Sequence, residues 1–168
     1  MRRNGHAVSV LVADGDAVSR TETATALRRS GLEVSEAQSG ADAIEVACEE
    51  GPNAVVLDVS LPTLCGYIVC RRLRDEFGEA LAIVLVSADR TAPVDRVASL
   101  LIGADDFLAK PLSHDEPVTR VVTLAERTET LRARGQRTGR GAHLLGVVPI
   151  TAQLIEFASS GSSVAGLS

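Results

Sequence analysis

Ala54-Val55-Val56-Leu57-Asp58 is a run of four aliphatic residues that ends on a carboxylate. A run so short and so uniformly apolar reads as a β-strand covered on both faces, the pattern of a parallel sheet. Working outward, similar β-branched or aliphatic runs recur at 8–13, 33–37, 82–86 and 106–109. The segments between them have helical spacing. Val94, Val97, Ala98 and Leu101 follow i, i+3, i+4, i+7, and Val118, Val121, Val122 and Ala125 repeat it. Ala41, Ile44 and Cys48 give a weaker version, and 65–77 holds a further amphipathic stretch. Asp16 and Ser39 stand where helix caps belong, and Gly31, Gly51, Gly78 and Gly103 where helices should stop. Strand and helix alternate five times. Right-handed crossovers then make a doubly wound α/β domain the economical solution, five parallel strands between two helical layers.

Composition agrees and excludes other classes. With 168 residues, 45% of them hydrophobic, the chain can bury one ordinary core and is too aliphatic for a disordered chain. Three cysteines are too few for a disulfide scaffold. No apolar run approaches the roughly 18 residues of a membrane span. Asp14 cuts short the apolar run near the start, which argues against a signal peptide. Aromatics at 2% argue against a surface that stacks nucleic-acid bases. The expectation is a soluble cytoplasmic protein.

Charge is unevenly spread. Residues 1–126 hold 12 basic and 20 acidic side chains, whereas 127–168 hold 5 and 2. The break falls where the aliphatic pattern thins into Arg132-Ala133-Arg134-Gly135-Gln136-Arg137-Thr138-Gly139-Arg140, a tract that reads as flexible linker. We place the boundary at 130, with 1–130 the folded domain and 131–168 linker and tail. Residues 144–157 are apolar enough for a helix, and the serine-rich stretch after them reads as disordered.

In a doubly wound sheet, function gathers at the carboxyl ends of the strands. There the first strand runs into Asp14-Gly15-Asp16, the third ends at Asp58, the fourth at Ser87, and the fifth at Lys110-Pro111. Clustered carboxylates favour a hard divalent cation such as Mg²⁺. A carboxylate can act as a nucleophile toward phosphorus, while an ammonium and a hydroxyl contact phosphoryl oxygens. The residue types therefore point to phosphoryl chemistry.

The segment Leu57-Asp58-Val59-Ser60-Leu61-Pro62-Thr63-Leu64-Cys65-Gly66 resembles the phosphoacceptor loop of response-regulator receiver domains. Val86-Ser87-Ala88 and Gly103-Ala104-Asp105-Asp106-Phe107-Leu108-Ala109-Lys110-Pro111 resemble the later motifs of that family, in the right order and at the right intervals. The resemblance covers roughly 7–128. It implies a flavodoxin-like sheet of order 2-1-3-4-5. It also implies Asp58 as phosphate acceptor, Ser87 as switch hydroxyl, Phe107 as switch aromatic and Lys110 as the phosphate-contacting lysine. Lys110 is the only lysine, against 16 arginines, which argues that it is more than a solvated surface charge. The implied partners are a sensor histidine kinase or another phosphodonor, and a second copy meeting this one through the fourth helix, fifth strand and fifth helix.

The first motif departs from the family. Receivers carry two adjacent acids after the first strand, and the second is the direct metal ligand; here those positions are Asp14 and Gly15. Mg²⁺ would keep Asp58, the backbone carbonyl of Ser60 and a water-mediated Asp14, and would be bound weakly. Asp16 aligns with a third, variable position and reads as a helix cap before it reads as a ligand. A phosphorylation-independent interaction module is accordingly the alternative. A haloacid-dehalogenase-like phosphatase is a more remote one: Asp14-x-Asp16 fits it, but it leaves Asp58, Pro62 and Gly66 unexplained. The chain is otherwise not expected to be an enzyme. Only 38 residues follow position 130 and none forms a helix-turn-helix pattern, so no complete DNA-binding domain is expected in this chain. The cysteines lack metal-ligand spacing, with Cys65 and Cys70 five apart on one helix, and read as buried reduced thiols. His6, His114 and His143 are scattered in surface segments.

Overall fold

The structure, a computed structural model, describes residues 7–88, 93–112 and 115–138. Contacts divide the chain into Met1–Gly135 and Gln136–Ser168. Five strands form one parallel sheet: β1 (Ser9–Ala13), β2 (Glu33–Ala37), β3 (Ala54–Asp58), β4 (Ala82–Ser87) and β5 (Asp106–Ala109), in the order β2-β1-β3-β4-β5. The helices are α1 (Ala17–Arg29), α2 (Gly40–Glu50), α3 (Gly66–Phe77), α4 (Pro93–Ile102) and α5 (Asp115–Thr138), with a single 3₁₀ turn at Gly78–Ala80. Each strand lies where its apolar run predicts, and β3 and β4 each take in one further residue, Asp58 and Ser87.

Alternation along the strands sorts the core into two layers. Leu11, Val55, Leu57, Ile83 and Leu85 pack with Ala43, Ile44, Val69 and Leu73 of α2 and α3. Val10, Val12, Val56, Val84 and Leu108 pack on the other face with Ala24 and Leu27 of α1 and Val121 and Ala125 of α5. The predicted caps form. Asp16 accepts from the Ser19 N–H at 2.7 Å and Ser39 from the Asp42 N–H at 3.2 Å. Each such cap stabilises its helix by about 1 kcal/mol. Gly51 takes the left-handed conformation that ends α2.

Four sequence expectations change. Of the stripe on α4, Val97 is 57% and Leu101 81% exposed, while Ser99 is fully buried. Periodicity marks an apolar face without saying what covers it. On α2 the buried stripe is Gly40, Ala43, Ile44 and Ala47, rotated from the expected one because small residues let the helix approach the sheet. Cys48 on α2 is therefore exposed; Cys65 is exposed as well, as the N-cap of α3 rather than part of it, and only Cys70 is buried. Finally, the arginine-rich tract read as linker continues α5 through Thr138. Arg132 holds it there by donating to the carbonyls of Ala80, Gly51 and Pro52 at 2.8–2.9 Å. The three histidines, the 144–157 stretch and the serine-rich tail lie outside the described residues.

Candidate functional site

All strands are parallel, so the residues that end β1, β3, β4 and β5 meet at one edge of the sheet. Asp14 and Asp58 are buried there. Between them stands Lys110, whose side chain is 15% exposed. Its ammonium donates to Asp14 Oδ2 at 2.6 Å and lies 3.2 Å from Asp58 Oδ2. Burial alone would push this ammonium's pKa down, but hydrogen bonds and the charges of Asp14 and Asp58 outweigh it, and the pKa is raised. Two anions against one cation leave a local excess of one negative charge.

The neighbouring groups hold both carboxylates still. Asp14 Oδ1 accepts from the Asp16 N–H at 2.9 Å, and Oδ2 accepts from the Ser19 hydroxyl at 2.6 Å. Arg20 donates to the backbone carbonyl of Asp14 at 2.7 Å while pairing with Glu36 at 3.4 Å. Asp58 Oδ1 accepts from the Ser60 N–H at 3.1 Å. Ser19 and Arg20 escaped the sequence reading, since nothing but position on α1 marks them.

The other predicted residues take separate places. Ser87 ends β4, buried, one residue beyond Val86, the partner of Asp58 in the sheet register; its carbonyl accepts from the Lys110 N–H at 3.0 Å. Phe107 is buried in the α2–α3 core layer, opposite Leu85. Asp16 is exposed and occupied as the α1 cap. The Lys110–Pro111 peptide is cis.

These donors fall one short of the three-acid set that holds Mg²⁺ in the resembled family. Among the described residues no group of three His, Cys, Asp or Glu side chains could hold a metal ion. Asp14 is engaged on both oxygens and Asp16 on its cap. The pocket offers a divalent cation two buried carboxylates, Asp14 and Asp58, and so fewer anionic oxygens to offset its dehydration.

Fold and site together define a doubly wound α/β module with an acidic, lysine-bridged pocket at the carboxyl edge of its sheet. The model of the response regulator receiver domain matches residues 10–122, and the chain belongs to that family. It is 36% identical over 147 residues to the response regulator MprA of Mycolicibacterium vanbaalenii, covering 88% of this chain and 63% of that protein. It is 39% identical over 127 residues to the "probable transcriptional regulatory protein TcrX" of Mycobacterium tuberculosis, covering 76% of this chain and 53% of that protein. The chain thus spans between half and two thirds of the length of these curated relatives. Among solved structures, the receiver domain of Francisella response regulator 1452 superposes with a TM-score of 0.66 at 29% identity, covering 71% of this chain and 98% of that one. Among the described residues no helix is long and apolar enough to cross a membrane.

Proposed function

We propose that Asp58 accepts a phosphoryl group from a sensor histidine kinase or another phosphodonor and that the domain switches a surface in response. The observation that carries this reading is the placement of Lys110 3.2 Å from Asp58 Oδ2, with Ser87 ending the adjacent strand. An Asp58 oxygen forms the bond to phosphorus as the bond from phosphorus to the donor's nitrogen or oxygen breaks, and the donor leaves with the electron pair. Lys110 faces the added charge as a point cation, and the Ser87 hydroxyl is the group that moves toward the phosphoryl oxygens. A divalent cation would meet Asp58, the Ser60 carbonyl and Asp14 through water, and would be held weakly. Phe107 follows Ser87 as the packing reporter of the switch. This is a signalling role with no turnover of a separate substrate.

Incubation with acetyl phosphate, with and without Mg²⁺, followed by intact mass tests the reading. One added phosphoryl group, absent in Asp58→Ala, is the expected result. A chain that stays unmodified under both conditions would be the phosphorylation-independent interaction module instead. The haloacid-dehalogenase scheme gains nothing here: it leaves the Asp58–Lys110 pair without a role.

The output surface we assign to α4, β5 and α5. Arg96 and Arg120 converge on Asp106 there, at 3.5 and 2.8 Å, beside the exposed side chains of Val97, Leu100 and Leu101. A second copy of this chain is its proposed occupant.

A further inference from the structure

Asp14 is the more fully satisfied of the two site carboxylates. Among the described residues three donors reach it: the Asp16 N–H on Oδ1 at 2.9 Å, and the Ser19 hydroxyl and Lys110 ammonium, both on Oδ2 at 2.6 Å. A carboxylate can accept about four hydrogen bonds. Asp58 accepts from the Ser60 N–H on Oδ1 at 3.1 Å and faces Lys110 at 3.2 Å on Oδ2. Lys110 therefore leans toward Asp14, and Asp58 keeps more of its oxygen surface open.

The turn between β1 and α1 explains why Ser19 is the residue that reaches Asp14. The bond from the Asp16 N–H, two residues on, folds the Asp14 carboxylate back over the first turn of α1. Asp16 caps that turn by accepting from the Ser19 N–H at 2.7 Å. Ser19 thus gives its N–H to one aspartate and its hydroxyl to the other. Arg20, next in the chain, donates to the Asp14 carbonyl at 2.7 Å, so consecutive residues of one helix hold both the side chain and the main chain of Asp14. The cap uses only the backbone of Ser19. Its hydroxyl has no other printed partner than Asp14 Oδ2 and is spent wholly on the site.

We infer that Ser19 is a positioning residue of this pocket: its hydroxyl competes with a hydrated divalent cation for Asp14, holding that carboxylate in place without metal and leaving Asp58 the more open of the two. With Gly15 where the resembled family has its second acid, a hydroxyl donor supplies part of the charge compensation that a cation would otherwise bring. The consequence for phosphoryl acceptance rests on the phosphoacceptor reading of Asp58; the competition for Asp14 does not.

Thermal melting of wild type, Ser19→Ala and Ser19→Thr, each titrated with Mg²⁺ after treatment with chelator, tests the inference. Alanine keeps the backbone N–H that the cap needs, so α1 is retained in every variant. In chelator Ser19→Ala should melt below wild type, and Mg²⁺ should then raise its melting temperature at roughly a tenth of the concentration that wild type requires. Ser19→Thr keeps a hydroxyl and should follow wild type. A merely structural serine would lower melting without moving the Mg²⁺ midpoint, so equal midpoints overturn the inference, as does the absence of any Mg²⁺ response in both chains. Made in Asp14→Asn, the same serine-to-alanine change should leave the midpoint where it is; a shift that persists there also overturns it. Intact mass after acetyl phosphate, run on wild type, reports separately on Asp58: an unmodified wild type beside a shifted Ser19→Ala midpoint would sink the phosphoacceptor reading and leave the role of Ser19 standing.

Discussion

Lys110 is the residue on which the pocket balances. It is a cation placed between two buried carboxylates, at 2.6 and 3.2 Å. Removing one member of a buried ionic cluster leaves uncompensated charge and typically costs about 3–5 kcal/mol. Lys110→Met should lose stability in that range in urea unfolding, and adding Asp58→Asn should recover part of it by removing one of the two facing anions. A loss below about 1 kcal/mol would show the cluster to be well solvated. The raised lysine pKa gives a sign to the pH dependence. An ammonium favoured by the folded state contributes its full stability below its ordinary value of 10.5, and that contribution fades as pH climbs through the raised folded value. The thiols provide a second check at this scale. Burial pushes Cys70 up to about 11, whereas Cys48 and Cys65 are exposed. Native protein should therefore show two fast thiols toward an aromatic disulfide reagent at neutral pH, with the third appearing on unfolding. Three fast thiols would place Cys70 at the surface.

Elements differ in how plainly the sequence announces them, and the difference is physical. Strands covered on both faces leave uninterrupted aliphatic runs, so β1, β3 and β4 were legible to within a residue. Their ends are legible for the same reason: a polar residue after such a run marks the sheet edge, and Asp14, Asp58, Ser87 and Lys110 are read off it directly. Contacts made across loops leave no such trace. The bond from Ser19 to Asp14 depends on how the turn after β1 folds back on α1, which no local pattern encodes. The arginine tract shows the same limit. Gly135 and the polar residues around it suggest a linker, yet Arg132 reaches three backbone carbonyls and carries α5 through Thr138. Hydrogen bonds from a charged donor contribute about 1.5–3 kcal/mol each where they are shielded, and less where the donor is partly exposed. Arg132→Ala should therefore cost at most a few kcal/mol globally while speeding amide exchange over 129–138 well beyond the rest of α5. Uniform exchange along the helix would mean that packing by Val121, Ala125 and Thr128 holds it without the arginine.

For the whole molecule, the orientation of α4 matters most. Its stripe has the spacing of a core-facing helix, but Val97, Leu100 and Leu101 are turned to solvent. Three large aliphatics within two turns of one helix form an exposed patch of the kind that marks an interaction surface. Arg96 and Arg120 lie beside it around Asp106, giving the patch a charged rim. A twofold pairing of this face would bring each stripe against its copy and leave both signs of charge at the rim, which suits the self-complementarity of an isologous interface. The patch also lies on the helix that follows Ser87 in the chain, so a movement of that hydroxyl toward a phosphoryl group would reach it first. Sedimentation of the unmodified chain should then show a concentration-dependent dimer, strengthened after acetyl phosphate. Leu101→Arg should return both forms to monomer, because a second copy would have to desolvate two arginines at the centre of the contact. The same variant should leave the acceptance of phosphate by Asp58 intact, since position 101 lies at the far end of α4 from Ser87. A dimer that survives Leu101→Arg would move the interface to another face.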